Sequence, residues 1–330
     1  MTITVVVPTY NRGSKIAESI DCLLANSADG LQQVEIIVVD DGSKVETAAF
    51  CQRPVEPPFT VRCIRQENAG PAAARNRGFR AGCGDLVVFL DDDILVPSDF
   101  LQRHVAAHRI KPESVIWGPC VLKNSNKPLV RFLNELYVPP SENGLIRVDV
   151  LASGQLSAER ATLSRLNGPY AEQLRTPGAE EFALMRRLQE LGIEIYCASE
   201  VVALHDQPLN IRDVCMQQYK HAVGYSEVAM KYPASRQLKC VRRVLEECGP
   251  ARAGDPLAPR LKRGLRAAMS ALRIRKTLVR ACEALENIAP YRFTKAVYRV
   301  LIGLYFFAGI RAGVAQFGGQ KGVGLRDVAS

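Results

Sequence analysis

The chain has little of what stitches, exports or anchors a protein. Its ten cysteines, at positions 22, 51, 63, 83, 120, 197, 215, 240, 248 and 282, include no C-x-x-C pair. That spacing argues against a disulfide framework or a zinc site and leaves reduced thiols packed as small hydrophobes. After Met1 and Thr2 the sequence passes straight into Ile3-Thr4-Val5-Val6-Val7, with no basic n-region and no small-residue cleavage site. A cytosolic chain is the expectation. No apolar run reaches the ~18–20 residues that span a bilayer. The nearest, 300–310, is bounded by Arg299 and Arg311. There are no internal repeats and no low-complexity stretch, which excludes solenoids and biased linkers.

What is present is globular. The 330 residues are 47% apolar and 23% charged, enough for a sizeable core and about two domains. The net charge of +9 is unevenly spread. Residues 211–330 hold 22 Lys and Arg against 8 Asp and Glu, whereas 1–210 hold 21 against 26. A mildly acidic first part and a strongly basic last third imply different partners. Nucleic acid and anionic lipid headgroups are the usual candidates for the basic part.

Over the first 110 residues, short apolar segments at 3–7, 34–39, 60–65 and 86–90 alternate with helical patterns at 15–25, at 72–81 and after Pro97. Alternation of this kind predicts an open α/β sheet, mostly parallel, with helices on both faces. Ligands of such sheets sit beyond the carboxyl ends of the strands. Residues 111–210 are less regular, and from about 211 the pattern turns helical and basic.

Three strand ends carry unusual chemistry: Pro8-Thr9-Tyr10-Asn11-Arg12, Asp40-Asp41-Gly42-Ser43 and Asp91-Asp92-Asp93. Carboxylates at i and i+2 of a turn can converge on a hard divalent cation that keeps positions open for diphosphate oxygens. The same three acids can also be a solvated turn capping the next helix. Asp40 and Asp41 fit either ribose recognition or a tight turn. Glu180-Glu181 stands at the start of a helical stretch, where it either complements the helix dipole or supplies a general base. His205, one of four histidines, is either a structural residue or a ligand completing a Mn²⁺ site. Arg75, early in an Ala-rich helix after Gly70-Pro71, either faces solvent or binds a diphosphate through its guanidinium fork.

The order of these pieces resembles glycosyltransferase family 2. "VVVPTYNR", "EIIVVDDGS", "NAGPAAARNRGFRAGCGDLVVFLDDD" and "GAEEFALMRRLQELG" are similar to its successive motifs, and "ALHDQP" to the one that follows. The likeness covers about 3–225, and several motifs in fixed order are far more specific than one. The resemblance implies a GT-A fold and a bacterial cell-surface polysaccharide type of enzyme. On it, 1–110 would bind the nucleotide sugar and 111–210 would carry the acceptor side and base, while the basic helical pattern of 211–330 suits a region associated with membrane.

By the same resemblance, Pro8, Thr9, Asp40, Asp41, Arg75 and Asp92 would hold the donor. Asp91, Asp93 and His205 would hold Mn²⁺ or Mg²⁺, with Asp91 and Asp93 as the acids of the DxD motif. Glu181 would be the catalytic base, although the family usually has Asp there. The implied reaction is inverting transfer to a saccharide or lipid-linked saccharide hydroxyl. Two alternatives remain open: transfer to a polyisoprenyl phosphate, which needs no base, and a non-catalytic binding fold.

In 257–286 apolar residues recur at helical spacing with basic residues between them. The pattern suits peripheral contact with an anionic inner leaflet as well as packing on the catalytic domain. Nucleic acid is not expected, because no aromatic residue interleaves with those basic ones before 291.

Overall fold

The computed structural model of the protein describes residues 1–123, 126–137, 144–152, 154–174, 176–207, 209–232, 264, 268 and 271–318. Its contacts divide it into two compact units. The first is Met1–Asn124, Leu133–Arg175 and Ala183–Gln207; the second is Ser125–Phe132, Thr176–Phe182 and Pro208–Ser330.

The first unit is built on β1 (Thr2–Thr9), β2 (Gln33–Asp40), β3 (Phe59–Arg65) and β4 (Leu86–Leu90), alternating with α1 (Lys15–Leu24), α2 (Ala48–Cys51) and α3 (Pro71–Ala81). After β4 come the short β5 (Ile94–Leu95), α4 (Phe100–Ile110), β6 (Val115–Trp117), β7 (Cys120–Leu122) and α5 (Pro128–Tyr137). The chain continues through β8 (Leu145–Arg147), β9 (Gln155–Glu159), α6 (Arg160–Ser164), α7 (Ala179–Glu190), β10 (Ile195–Ala198) and β11 (Ala203–His205). Eight strands form one sheet in the order β3-β2-β1-β4-β9-β6-β10-β8, and β5-β11-β7 form a small second sheet.

β1 pairs in parallel with both β2 and β4, and β2 with β3. These strands read as continuous apolar runs because helices cover both faces. Val5, Val6, Val7, Val38, Val88 and Phe89 are wholly buried, and each such side chain contributes roughly 1.5–3 kcal/mol. Beyond β4 the sheet becomes mixed, because β9 runs antiparallel to both β4 and β6. The parallel register has one consequence for function: β1, β2 and β4 release the chain at the same edge.

The second unit contains α8 (Ile211–Lys231), α9 (Leu272–Leu285) and α10 (Tyr291–Gly318). α8 packs along α10, and α9 rests on both. Val214, Cys215, Ala222 and Val228 of α8 are buried, as are Leu301, Leu304, Tyr305, Phe307 and Ile310 of α10. α10 has the length and hydropathy of a membrane-crossing helix over Tyr291–Phe317, yet 44% of its apolar 18-residue window is buried inside the protein. The apolar run 300–310, by sequence too short to span a bilayer alone, is part of this longer helix and packs in part against α8. Much of the basic pattern at 257–270 lies outside the described residues.

Candidate active site

The shared strand edge opens into a cleft of about 430 Å³. Pro8 and Thr9 from the end of β1, Asp41 after β2, and all three of Asp91, Asp92 and Asp93 after β4 line it. Asn68, Gly70, Pro71, Ala74 and Arg75 close it from the loop and first turns of α3. Three sequence-distant motifs therefore meet in one concavity.

The Asp91-Asp92-Asp93 turn is held from several sides. Ser19 of α1 donates to the Asp92 carbonyl at 2.8 Å, and the Asp91 amide donates to the Gly154 carbonyl at 2.9 Å. Each carboxylate then has its own partner. Arg75 Nη2 lies 2.6 Å from Asp91 Oδ1, and Thr9 Oγ1 donates to Asp92 Oδ2 at 2.6 Å. His205 Nε2 lies 3.3 Å from Asp93 Oδ2.

His205 reaches Asp93 from 112 positions away because β11 pairs antiparallel with β5, directly after the acidic turn. The Asp206 amide also donates to the Asp93 carbonyl at 2.8 Å. Behind this junction, buried Gln155 donates to the carbonyls of Pro119 and Val201, fixing the approaches to β7 and β11. Gln155 and Ser157 are themselves held by His104 and His108 of α4.

The electrostatics separate the three acids. Burial raises the Asp91 carboxyl above its ordinary range, with Arg75 pulling the other way. Burial also lifts Asp92 to about 6 against the opposing Thr9 hydrogen bond and Arg12 charge. At Asp93 burial is outweighed by the His205 hydrogen bond and charge together with Arg12, so its carboxyl is held low. His205 shifts reciprocally: burial disfavours its cation, but Asp93 wins and raises it.

Asp40 and Asp41, adjacent in sequence, are used differently. Asp40 is buried, accepting from the Ser43 amide at 2.9 Å and from Arg65 at 2.8 Å, and it does not line the cleft. Burial works to raise its carboxyl, but these hydrogen bonds and the Arg65 charge hold it below the usual range. Asp41 lines the cleft while its oxygens accept from the Ala69 amide at 2.9 Å, the Gly70 amide at 2.9 Å and Gln66 Nε2 at 2.8 Å. It thereby ties the loop that starts α3. Gly42 permits this approach: its φ is +79°, and a Cβ there would sit 2.9 Å from the Asn68 amide nitrogen.

Glu180 and Glu181 lie in the first turn of α7, within the second unit. Glu180 is buried and Glu181 half-buried. α8 holds this turn through Gly224, where a Cβ would come within 2.5 Å of the Pro177 carbonyl oxygen. The structure therefore brings Pro8, Thr9, Asp41, Arg75, Asp91, Asp92, Asp93 and His205 into one neighbourhood, and places Glu181 on a turn of the other unit.

Two contributors escaped the sequence reading. Arg12 stands 3.4 Å from Asp92 and 3.3 Å from Asp93; its signal was the last letter of "VVVPTYNR". Tyr170 places its ring 5.1 Å from the Arg75 guanidinium, and Asn76 clamps the Tyr170 backbone through bonds of 2.8 and 2.9 Å. Nothing in the spacing of Tyr170 announced that contact.

Among the described residues, no three Asp, Glu, His or Cys side chains form a ready-made metal cage. Small divalent cations are nevertheless usually held by one or two carboxylates plus substrate phosphates, without an all-protein cage. Oxygen ligands with one imidazole suit Mn²⁺. Asp93 and His205, already neighbours, with Asp91 in the same turn, fit such a shared site.

The model of the family described as Glycosyl transferase family 2 matches residues 4–149. Glycosyltransferase GlyA of Streptococcus pneumoniae is 34% identical over 100 residues, covering 30% of this chain and 14% of that protein. Validoxylamine A glucosyltransferase of Streptomyces hygroscopicus is 31% identical over 149 residues, covering 44% and 35%. This chain thus spans well under two thirds of the length of either.

Among solved structures, the mannosyltransferase PcManGT from Pyrobaculum calidifontis, in complex with GDP-Man and Mn²⁺, superposes with a TM-score of 0.58 at 21% identity. The match covers 93% of this chain and 86% of that one. S. aureus TarS 1-349 in complex with UDP-GlcNAc gives 0.52 at 17% identity, covering 92% and 91%. Both likenesses concern the fold. Residues 4–149 are thus similar to the family 2 glycosyltransferases, and the fold is that of their GT-A structures.

Proposed function

We propose that the protein transfers a sugar from a nucleoside diphosphate donor to an acceptor hydroxyl with inversion at the anomeric carbon. The observation that carries this reading is the meeting of Asp91, Asp93, His205, Arg75 and Thr9 at one strand edge. Family membership over 4–149 supports it, as do the GDP-Man and Mn²⁺ of the PcManGT complex and the UDP-GlcNAc of the TarS complex.

Asp91, Asp93 and His205 would hold Mn²⁺ or Mg²⁺, which when bound neutralises charge on the departing diphosphate. Pro8, Thr9, Asp41 and Asp92 hold the nucleotide, with Asp40 fixing the turn beside them. Arg75, backed by Tyr170, faces the diphosphate. Glu181 takes the proton from the attacking hydroxyl, helped by its like-charged neighbour Glu180. In this reading 1–110 bind the donor, 111–210 carry the acceptor side, and 211–330 form a basic helical region. The acceptor is a saccharide or lipid-linked saccharide of the cell envelope, met at the cytoplasmic face of an anionic membrane.

Isothermal titration with UDP- and GDP-sugars, with and without Mn²⁺, tests the donor half. Metal-dependent binding of at least one donor class is expected. Failure of every nucleotide sugar to bind in the presence of Mn²⁺ overturns the proposal.

A further inference from the structure

Exposed cations and exposed large apolar side chains occur together along α9 and the first half of α10. Between Leu272 and Gly318 the chain has eight Lys and Arg against two acids, Glu283 and Glu286. Both acids are engaged within the unit: Arg212 Nη2 lies 3.1 Å from Glu283, and the Tyr298 hydroxyl donates to Glu286 at 2.9 Å. Arg275 is buried against the Tyr219 and Tyr305 rings. Arg273, Lys276 and Arg280 of α9, and Arg292 and Arg299 of α10, are exposed.

Along the same stretch, large apolar side chains are open to solvent: Ile274 at 43%, Ile288 at 78%, Phe293 at 51% and Val300 at 52%. On α10, Arg292, Phe293, Ala296, Arg299, Val300 and Gly303 fall at helical spacing on a single exposed stripe, while Tyr298, Leu301 and Tyr305 are buried. Packing in the unit's own core therefore does not account for these residues.

We propose that the outward face of α9 and the N-terminal half of α10 docks the protein on an anionic lipid bilayer. Ile288, Phe293 and Val300 enter the headgroup boundary, and the flanking arginines and lysines meet lipid phosphates. The occupant follows from complementarity. A surface of one charge sign with interspersed apolar residues matches a plane that offers negative headgroups above hydrocarbon. A second copy of this chain would place like charges opposite each other. Single-stranded nucleic acid would require stacking platforms along the basic row, and among the described residues of α9 and α10 Phe293 is the only exposed aromatic. The inference deepens the proposed membrane setting by naming the surface, and it is tested without donor, metal or transfer.

The full chain is sedimented with vesicles of phosphatidylglycerol mixed with phosphatidylcholine, and with phosphatidylcholine alone. Binding only to the anionic vesicles, weakened by salt, is expected. Arg292→Glu with Arg299→Glu should lower the partition coefficient more than about tenfold, since each basic residue near such a surface is worth about fivefold. Ile288→Asp with Phe293→Asp should do the same, and because both side chains are exposed the fold should survive, as circular dichroism would verify. Arg109→Glu, an exposed cation of the first unit, should leave binding unchanged.

Absence of binding to anionic vesicles overturns the proposal. So does binding that both double variants leave intact, which places the contact elsewhere. Dimerisation abolished by those variants, or preferential capture of single-stranded DNA, assigns the face to another occupant and also overturns it. Loss of vesicle binding with metal-dependent donor binding retained would leave the transferase reading standing, and the reverse result would leave the docking surface standing.

Discussion

The two units present opposite kinds of surface. In the first, the acids leave a parallel sheet at one edge and face inward to a cleft, each held by a named partner. In the second, Glu283 and Glu286 are tied to neighbouring side chains while Arg273, Lys276 and Arg280 are exposed. On the proposals above, one surface organises a small polar ligand and the other meets an extended negative one. The difference has a topological origin. Parallel strands gather distant loops at one end, whereas packed helices display their polar residues along the outside.

The sharpest way to break that contrast is Glu181→Gln. If the second unit contributes chemistry through the first turn of α7, transfer should fall about 1000-fold while Mn²⁺-dependent donor binding persists. Retained transfer would reduce that unit to a scaffold, or indicate an acceptor that is already an anion. Asp93→Ala strikes the first unit instead, and should lower both turnover and metal-dependent donor affinity about 100-fold. An Asp93→Ala protein that turns over normally would remove the acidic turn from the mechanism.

Smaller effects test how the first unit is held together. Burial depresses His104 to about 3 and His108 to about 4, from 6.5. The unfolded chain therefore binds more protons than the folded one below about pH 6.5. Stability is complete above that pH and declines as pH falls toward the folded values, by up to about 1.4 kcal/mol per pH unit for each histidine. Urea midpoints across this range should drop accordingly, and a flat profile would contradict the buried network beneath β9. Asp41→Ala, which releases the Ala69 and Gly70 amides, should weaken donor binding about tenfold and speed hydrogen exchange in 66–70. Unchanged exchange there would show that the loop stands without it.

Most of the cleft was legible in the sequence, because a buried parallel strand and the polar turn after it are both local signals. The runs at 3–7, 34–39 and 86–90 became β1, β2 and β4 with their acidic ends on one edge. His205 was legible through its motif, but not through any local signal of its position. Its seat beside Asp93 depends on β11 pairing with β5 across more than a hundred residues. Tyr170 under Arg75 and the gathering of Gln155, His104 and Ser157 were invisible for the same reason: tertiary pairing, not periodicity, brings them together.

The surroundings of the run at 300–310 were not legible either. An apolar helix segment has the same composition whether it faces lipid or α8, and only the burial of Leu301, Leu304 and Phe307 distinguishes the two. Asp40 and Asp41 also looked interchangeable, until hydrogen bonding sent one into the turn and the other to the loop before α3.

The most direct test of the central claim is Mn²⁺ binding in the presence of UDP or GDP, followed by electron paramagnetic resonance on the native protein and on Asp93→Ala. Saturable binding by the native protein, lost or weakened at least about 100-fold in the variant, is the expected result. Equal Mn²⁺ affinity in both proteins would show that the acids at the end of β4 are not where a cation and a diphosphate meet.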